Sequence, residues 1–130
     1  MEPYKFAPRT HLDDEKPILP PKKEGECFRY MYVVFGDGKI FRGYNIFDVY
    51  MRALSHIGLE KAYRVAYCSP KLRRNGAPVI SNIICKEWPE RYMSVEYEGY
   101  HILKVKANTY RALLNLISET YNLGIKVELL

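Results

Sequence analysis

The chain has 130 residues, 48% apolar and 27% charged, with a net charge of +5 and a pI near 9.1. That is one domain's worth of chain, enough to bury a core, and no apolar run approaches the length of a membrane-spanning helix. A basic balance permits nucleic acid or another acidic partner without requiring one, and the twelve tyrosines suit strands and half-buried contact surfaces.

Residues 1–26 differ from the rest. Pro3, Pro8, Pro17, Pro20 and Pro21 interrupt a mostly polar stretch. Each fixes φ and removes a backbone donor, which excludes a helix or an inner strand. The composition reads as a disordered tail, or as an extended arm lying on a partner subunit of a homo-oligomer. Residues 1–27 hold five basic and six acidic side chains, so the positive excess belongs to the body. That body, residues 27–130, reads as a single α+β domain. The opening "MEPYKFAPRTHLDDE" lacks the apolar core of a secretory signal. Cys27, Cys68 and Cys85 form no C-x-x-C pair, and an odd, widely spaced set points to free thiols. Both features place the chain in the cytoplasm, of a cell or of an infected host cell.

The body opens on "CFRYMYVVFGDGKIFRGYN". Residues 28–35 are aromatic and β-branched, Asp37-Gly38 predicts a type I′ turn, and residues 39–44 return as a second strand. Asn45 is placed to cap a helix, with Asp48 complementing its first turn. Ile46, Val49, Tyr50, Ala53, Leu54 and Ile57 recur at helical spacing, and Gly58 follows as the C-cap. "AYRVAYC", residues 62–68, alternates like a strand. "PVISNIICKEWPE" supplies another over 79–85, ended by Trp88-Pro89.

"RYMSVEY" then alternates with Met93, Val95 and Tyr97 on one face, Glu98-Gly99 turns the chain, and "YHILKVK" returns. In that return strand Leu103 and Val105 point inward, and Ile102, Lys104 and Lys106 outward. Asn108 caps a helix over 109–121 with Tyr110, Leu113, Leu114, Ile117 and Tyr121 on one stripe. Gly124 ends it, and "IKVELL" closes as a strand. Each half, about 28–68 and 91–130, thus reads hairpin, helix, strand. Arg29-Tyr30-Met31 echoes Arg91-Tyr92-Met93, and Arg52-Ala53-Leu54 echoes Arg111-Ala112-Leu113, consistent with a duplicated ββαβ unit. The expected architecture is α+β, a mixed, mostly antiparallel sheet with two helices on one face.

Several chemistries have no local signature. His11, His56 and His101 lie far apart with no cysteine within metal-ligand spacing, so neither a metal nor another cofactor is expected. "GDGK" lacks the phosphate-loop spacing and is followed by a strand. The cysteines sit in or beside expected strands, where a thiol is a small hydrophobe. Asp13-Asp14-Glu15 reads as solvated charge. The chain is therefore expected to be a binding protein, not an enzyme.

Cations interleaved with aromatics remain. "CSPKLRRNGAP" sets Lys71, Arg73 and Arg74 between Pro70 and Pro78, with an Asn75-Gly76 turn, on a loop joining the expected strands 62–68 and 79–85. Lys104, Lys106 and Arg42 add charge, and Tyr92, Tyr44 and Tyr30 offer rings. Cations that follow a backbone and rings that stack bases are the means by which single-stranded nucleic acid is held. Strands and their wet faces use the same residue types, so a solvated face competes with a binding face. The leading expectation is a small basic protein that binds nucleic acid through this surface. The first alternative is a phage or mobile-element protein that inhibits or scaffolds a protein partner through its arm. The second is a small polar ligand held between subunits.

Overall fold

The computed structural model describes residues 4–8, 23–74, 77–82 and 94–130, with 73, 74 and 77 described by their backbone. In chain order the first elements are β1 (Met31–Val34), β2 (Ile40–Gly43), α1 (Ile46–Ile57) and α2 (Leu59–Tyr67). A 3-10 turn (Pro70–Leu72) leads to the short strands β3 (Arg73–Arg74), β4 (Ala77–Pro78) and β5 (Ile80–Ser81). The chain closes with β6 (Ser94–Tyr97), β7 (Tyr100–Leu103), α3 (Ala107–Tyr121) and β8 (Lys126–Leu129).

The class is α+β, and the division of its layers differs from the expectation. The strands form two three-stranded sheets, β2-β1-β8 and β5-β7-β6, and a β3-β4 ribbon, antiparallel at every described pairing. α1 packs on β1 and β2, α3 on β8, and α2 on α3 and β5. Buried residues from all three helices and from strands of both three-stranded sheets join in one core cluster.

The expected strand over 62–68 is helix α2. Seven residues of "AYRVAYC" satisfy a period of two and a period of 3.6 equally well. Extending the window back to Leu59 breaks the tie. Leu59, Ala62, Val65 and Ala66 are the buried positions, a helical stripe. Glu60 and Arg64 add an i,i+4 ion pair at 2.7 Å. Gly58 makes the corner, ending α1 and preceding α2 with φ 103° and ψ 125°, which a side chain would strain. The second half keeps the order hairpin, helix, strand, while the first runs hairpin, helix, helix. The expected strand over 79–85 is described only to residue 82, with Ile80 and Ser81 in β5. Cys85, Trp88-Pro89 and Met93 lie outside the described residues.

The hairpin turns exchange roles. Glu98 and Gly99 both take positive φ (51° and 83°), with Tyr97 paired to Tyr100, so the type I′ geometry belongs to the second hairpin. In the first, Asp37 keeps a negative φ and the loop is wider, closed by Phe35 N–H to Lys39 O at 2.9 Å. That loop docks on the end of α3. Gly36 N–H donates to Leu123 O at 2.9 Å, and a Cβ on Gly36 would stand 2.7 Å from the same oxygen.

The caps agree in part. Asn45 Oδ1 accepts the Asp48 N–H at 3.1 Å, as its position implies. At α3 the N-cap is Lys106, two residues before Asn108; Asn108 lies within the first turn and accepts from Arg111 instead (2.7 Å). Asn122, in the left-handed conformation, ends α3 ahead of Gly124.

Part of the N-terminal segment is ordered on its own chain. Tyr4 N–H donates to Glu96 O (2.7 Å), extending the β6 edge by one bond. Asp48, 5% exposed, accepts from Tyr4 Oη (2.6 Å), Ala7 N–H (2.7 Å) and Arg52 Nε (2.8 Å). Arg52 in turn donates to Ala7 O (2.8 Å) and lies 4.9 Å from the centre of the Phe6 ring. Residues 9–22 of the arm, with the role in oligomerisation considered above, lie outside the described residues.

Candidate nucleic-acid interface

The connection from β7 to α3 carries the two lysines the sequence singles out. β7 ends at Leu103, so Lys104 and Lys106 leave the sheet instead of lining its outer face. Ile102, expected outward, is fully buried: it pairs with Val95 and Ile80 in the central strand of its sheet. The connection is fixed from below. Val105 N–H donates to Tyr110 Oη at 2.9 Å, and the Tyr110 ring stacks on Tyr50 at 4.1 Å and 23°. Burial pushes the Tyr110 phenol up to about 12, with the Val105 N–H acting in the opposite direction. The phenol therefore stays protonated at neutral pH while its oxygen accepts. The buried Tyr50 phenol is raised as well, by burial first and then by Tyr110.

Above this support lies an open cleft of about 660 Å³, lined by Phe28, Ile46, Phe47, Lys104, Lys106 and Tyr110. Lys104 Nζ stands 5.1 Å from the centre of the Phe47 ring. Both lysines are exposed, and among the described residues neither has an ion pair. Lys106 gives α3 no side-chain cap, and the first turn of α3 holds no acidic residue. Phe47 contacts Tyr110 (6.0 Å between ring centres) and meets Tyr4 edge-on (5.5 Å), so the arm and the cleft share a ring.

The other candidates are elsewhere. Lys71, exposed in the 3-10 turn, lines a second cleft of about 480 Å³ between α2 and α3, with Val65, Leu116 and Tyr121. Arg73 and Arg74 hold the backbone of β3, paired to Pro78 and Ala77, and the Asn75-Gly76 turn lies outside the described residues. Arg42 lies 5.8 Å from the Tyr32 ring centre, in one cross-strand row with Tyr32 and Glu128. Tyr44 is 46% exposed and meets Tyr30 edge-on at 5.2 Å. Tyr30 itself is 0% exposed, which corrects its assignment as a contact ring: it supports Tyr44. Tyr92 lies outside the described residues.

Sequence reasoning brings Lys104, Lys106 and Phe28, as part of Phe28-Arg29-Tyr30, to the site and misses Phe47 and Tyr110. Phe47 carried a signal. It precedes the buried Tyr50, Met51 and Leu54 by three, four and seven residues, so it continues the core face of α1 to the helix start, where it is half-buried and lines the cleft. Among the described residues no three His, Cys, Asp or Glu side chains gather as metal ligands, and no helix is long and apolar enough to cross a membrane. Comparison with protein-family models, curated proteins and solved structures finds no match.

Proposed function

We propose that the protein is a binding protein, not an enzyme, and that it holds single-stranded nucleic acid at the cleft beside α3. One observation carries this reading: Lys104 and Lys106, without ion pairs among the described residues, line the same cleft as Phe28 and Phe47. Cations take the phosphates and rings stack the bases, each stacked base contributing about 1–3 kcal/mol. Arg42 and Tyr44 on the first hairpin and Lys71 beside α2 do not line this cleft and stand outside the proposed contact.

Fluorescence anisotropy with a labelled oligothymidylate, repeated from low to high salt, tests the reading. The expected affinity falls steeply with salt, and replacing both Lys104 and Lys106 with Ala flattens the logarithmic slope by about 1.4, roughly 0.7 per phosphate contact on a single strand. Binding that ignores salt, or a double variant that binds like the parent, overturns it. An aromatic-centred protein interface, the alternative, would show that weak salt dependence.

A further inference from the structure

We propose that the cleft takes one nucleoside 5′-monophosphate group, from a free nucleotide or from the 5′-phosphorylated end of a strand, a proposal that rests on the nucleic-acid reading and narrows it. Size is the first reason. About 660 Å³ falls within the range of small-ligand sites, room enough for a base with its phosphate. Charge is the second. A phosphate monoester carries roughly −1.5 to −2 near neutral pH, against one negative charge for an internal diester. Two neighbouring lysines that form no ion pair among the described residues, against the one carboxylate of Glu26 in the cleft, match the monoester better.

The start of α3 is the third reason, and it acts together with the lysines. Thr109 N–H already donates to Lys106 O (2.9 Å), but no side chain caps the amide groups before it and the first turn holds no acidic residue. Such groups donate to an anion, and the helix dipole favours one there. Glu26, which also lines the cleft, sets the direction. Its carboxylate repels phosphate and accepts N–H groups, so the phosphate goes to the Lys106 side. The base then meets Phe28, Phe47 and Glu26.

Cys27 makes the site directly observable. It is exposed and lines this cleft, while Cys68, also exposed, lines the one between α2 and α3. AMP is expected to slow alkylation of Cys27 and leave Cys68 unchanged, read by peptide mass spectrometry on the full chain. In parallel, a single-stranded decamer with a 5′-phosphate is expected to bind about tenfold more tightly than the same decamer with a 5′-hydroxyl, one charge-assisted set of contacts more. Lys104→Ala with Lys106→Ala should abolish that difference; a circular dichroism spectrum like the parent's shows that the variant is folded. Three outcomes separate the readings. If both decamers bind equally and AMP fails to protect Cys27, the monophosphate proposal falls and the nucleic-acid reading stands. If AMP protects Cys27 and neither decamer binds, the site is one for free nucleotides and the nucleic-acid reading falls. If no probe binds, both fall.

Discussion

Two clusters in this molecule are built from the same parts and end in opposite states. At the arm, Arg52 lies 4.9 Å from the Phe6 ring centre; at the cleft, Lys104 lies 5.1 Å from that of Phe47. The first is closed. Arg52 is also held by Asp48, and Asp48 is held by Tyr4 and Ala7, so each charge and donor there has a partner within 2.8 Å. The second is open, with two lysines unpaired among the described residues and a helix start without a side-chain cap. A cation over a ring is thus no sign of a site by itself. Such contacts contribute about 0.5–1 kcal/mol at exposed positions and serve structure as readily as binding. What separates the two is the ion pair: Asp48 holds Arg52, whereas Glu26, though it lines the cleft, pairs with neither lysine among the described residues.

The largest effect is expected where the closed cluster is opened. Asp48→Ala removes a carboxylate that is almost fully buried and strands Arg52, Tyr4 Oη and the Ala7 amide. Breaking a buried pair from one side costs about 3 kcal/mol or more. Urea unfolding should show that loss, and hydrogen exchange should show the Ala7 amide released. An Asp48→Ala variant of parental stability, with its Ala7 amide still protected, would break the comparison, because the arm would then hold without its anchor.

The sequence made one of these clusters legible and hid the other. Lys104 and Lys106 stood out because charges two apart at the end of a strand are a local pattern. The Asp48 cluster joins residues 41 and 44 positions apart, and nothing local marks that pairing. Asp48 already had a sufficient explanation as a first-turn acid on α1, so its second task left no trace. The same limit applies to α2, where a seven-residue window fits both periods. α1 and α3 were readable because each carries a full apolar stripe, and Asn45 marks the start of the first. The division into two sheets was not readable. Strand partners depend on long-range register, and β8, last in the chain, pairs with β1, the first.

A smaller effect on the closed side separates hydrogen bonding from burial. Tyr4→Phe keeps the ring against Phe6 and Phe47 and removes the hydroxyl that donates to Asp48. A hydrogen bond to a buried carboxylate contributes about 1.5 kcal/mol or somewhat more, and that loss is expected at neutral pH. The pH dependence adds a second signature. Burial raises the Tyr4 phenol well above its ordinary value near 10, and the Asp48 hydrogen bond and charge raise it further, against Arg52. The folded chain therefore keeps a proton that the unfolded chain releases above pH 10. Tyr4's contribution is complete below pH 10 and is lost as pH rises through the folded value. Tyr50 and Tyr110 are raised too and share this alkaline loss. Tyr4→Phe should make the decline in stability above pH 10 shallower without removing it, measured by urea unfolding from pH 8 to 11.

The smallest effect has the opposite sign and sharpens the comparison most. Lys106 is the N-cap of α3 with φ −70° and ψ 149°, the extended geometry in which serine or aspartate accepts an amide from the first turn. Lysine has no acceptor to offer there, and its charge opposes the helix dipole. For folding alone it is a poor choice. Lys106→Ser should supply the missing acceptor and remove the unfavourable charge, raising stability by about 0.5–1 kcal/mol in urea unfolding. The same substitution closes the amide groups that an anion would take and removes one of the two cations beside them. A variant that becomes more stable while losing its preference for a 5′-phosphorylated strand would mark Lys106 as retained for a ligand at the expense of the fold. A variant that loses stability would place Lys106 with Arg52, as a side chain whose contacts serve structure, and the contrast between the closed cluster and the open one would disappear.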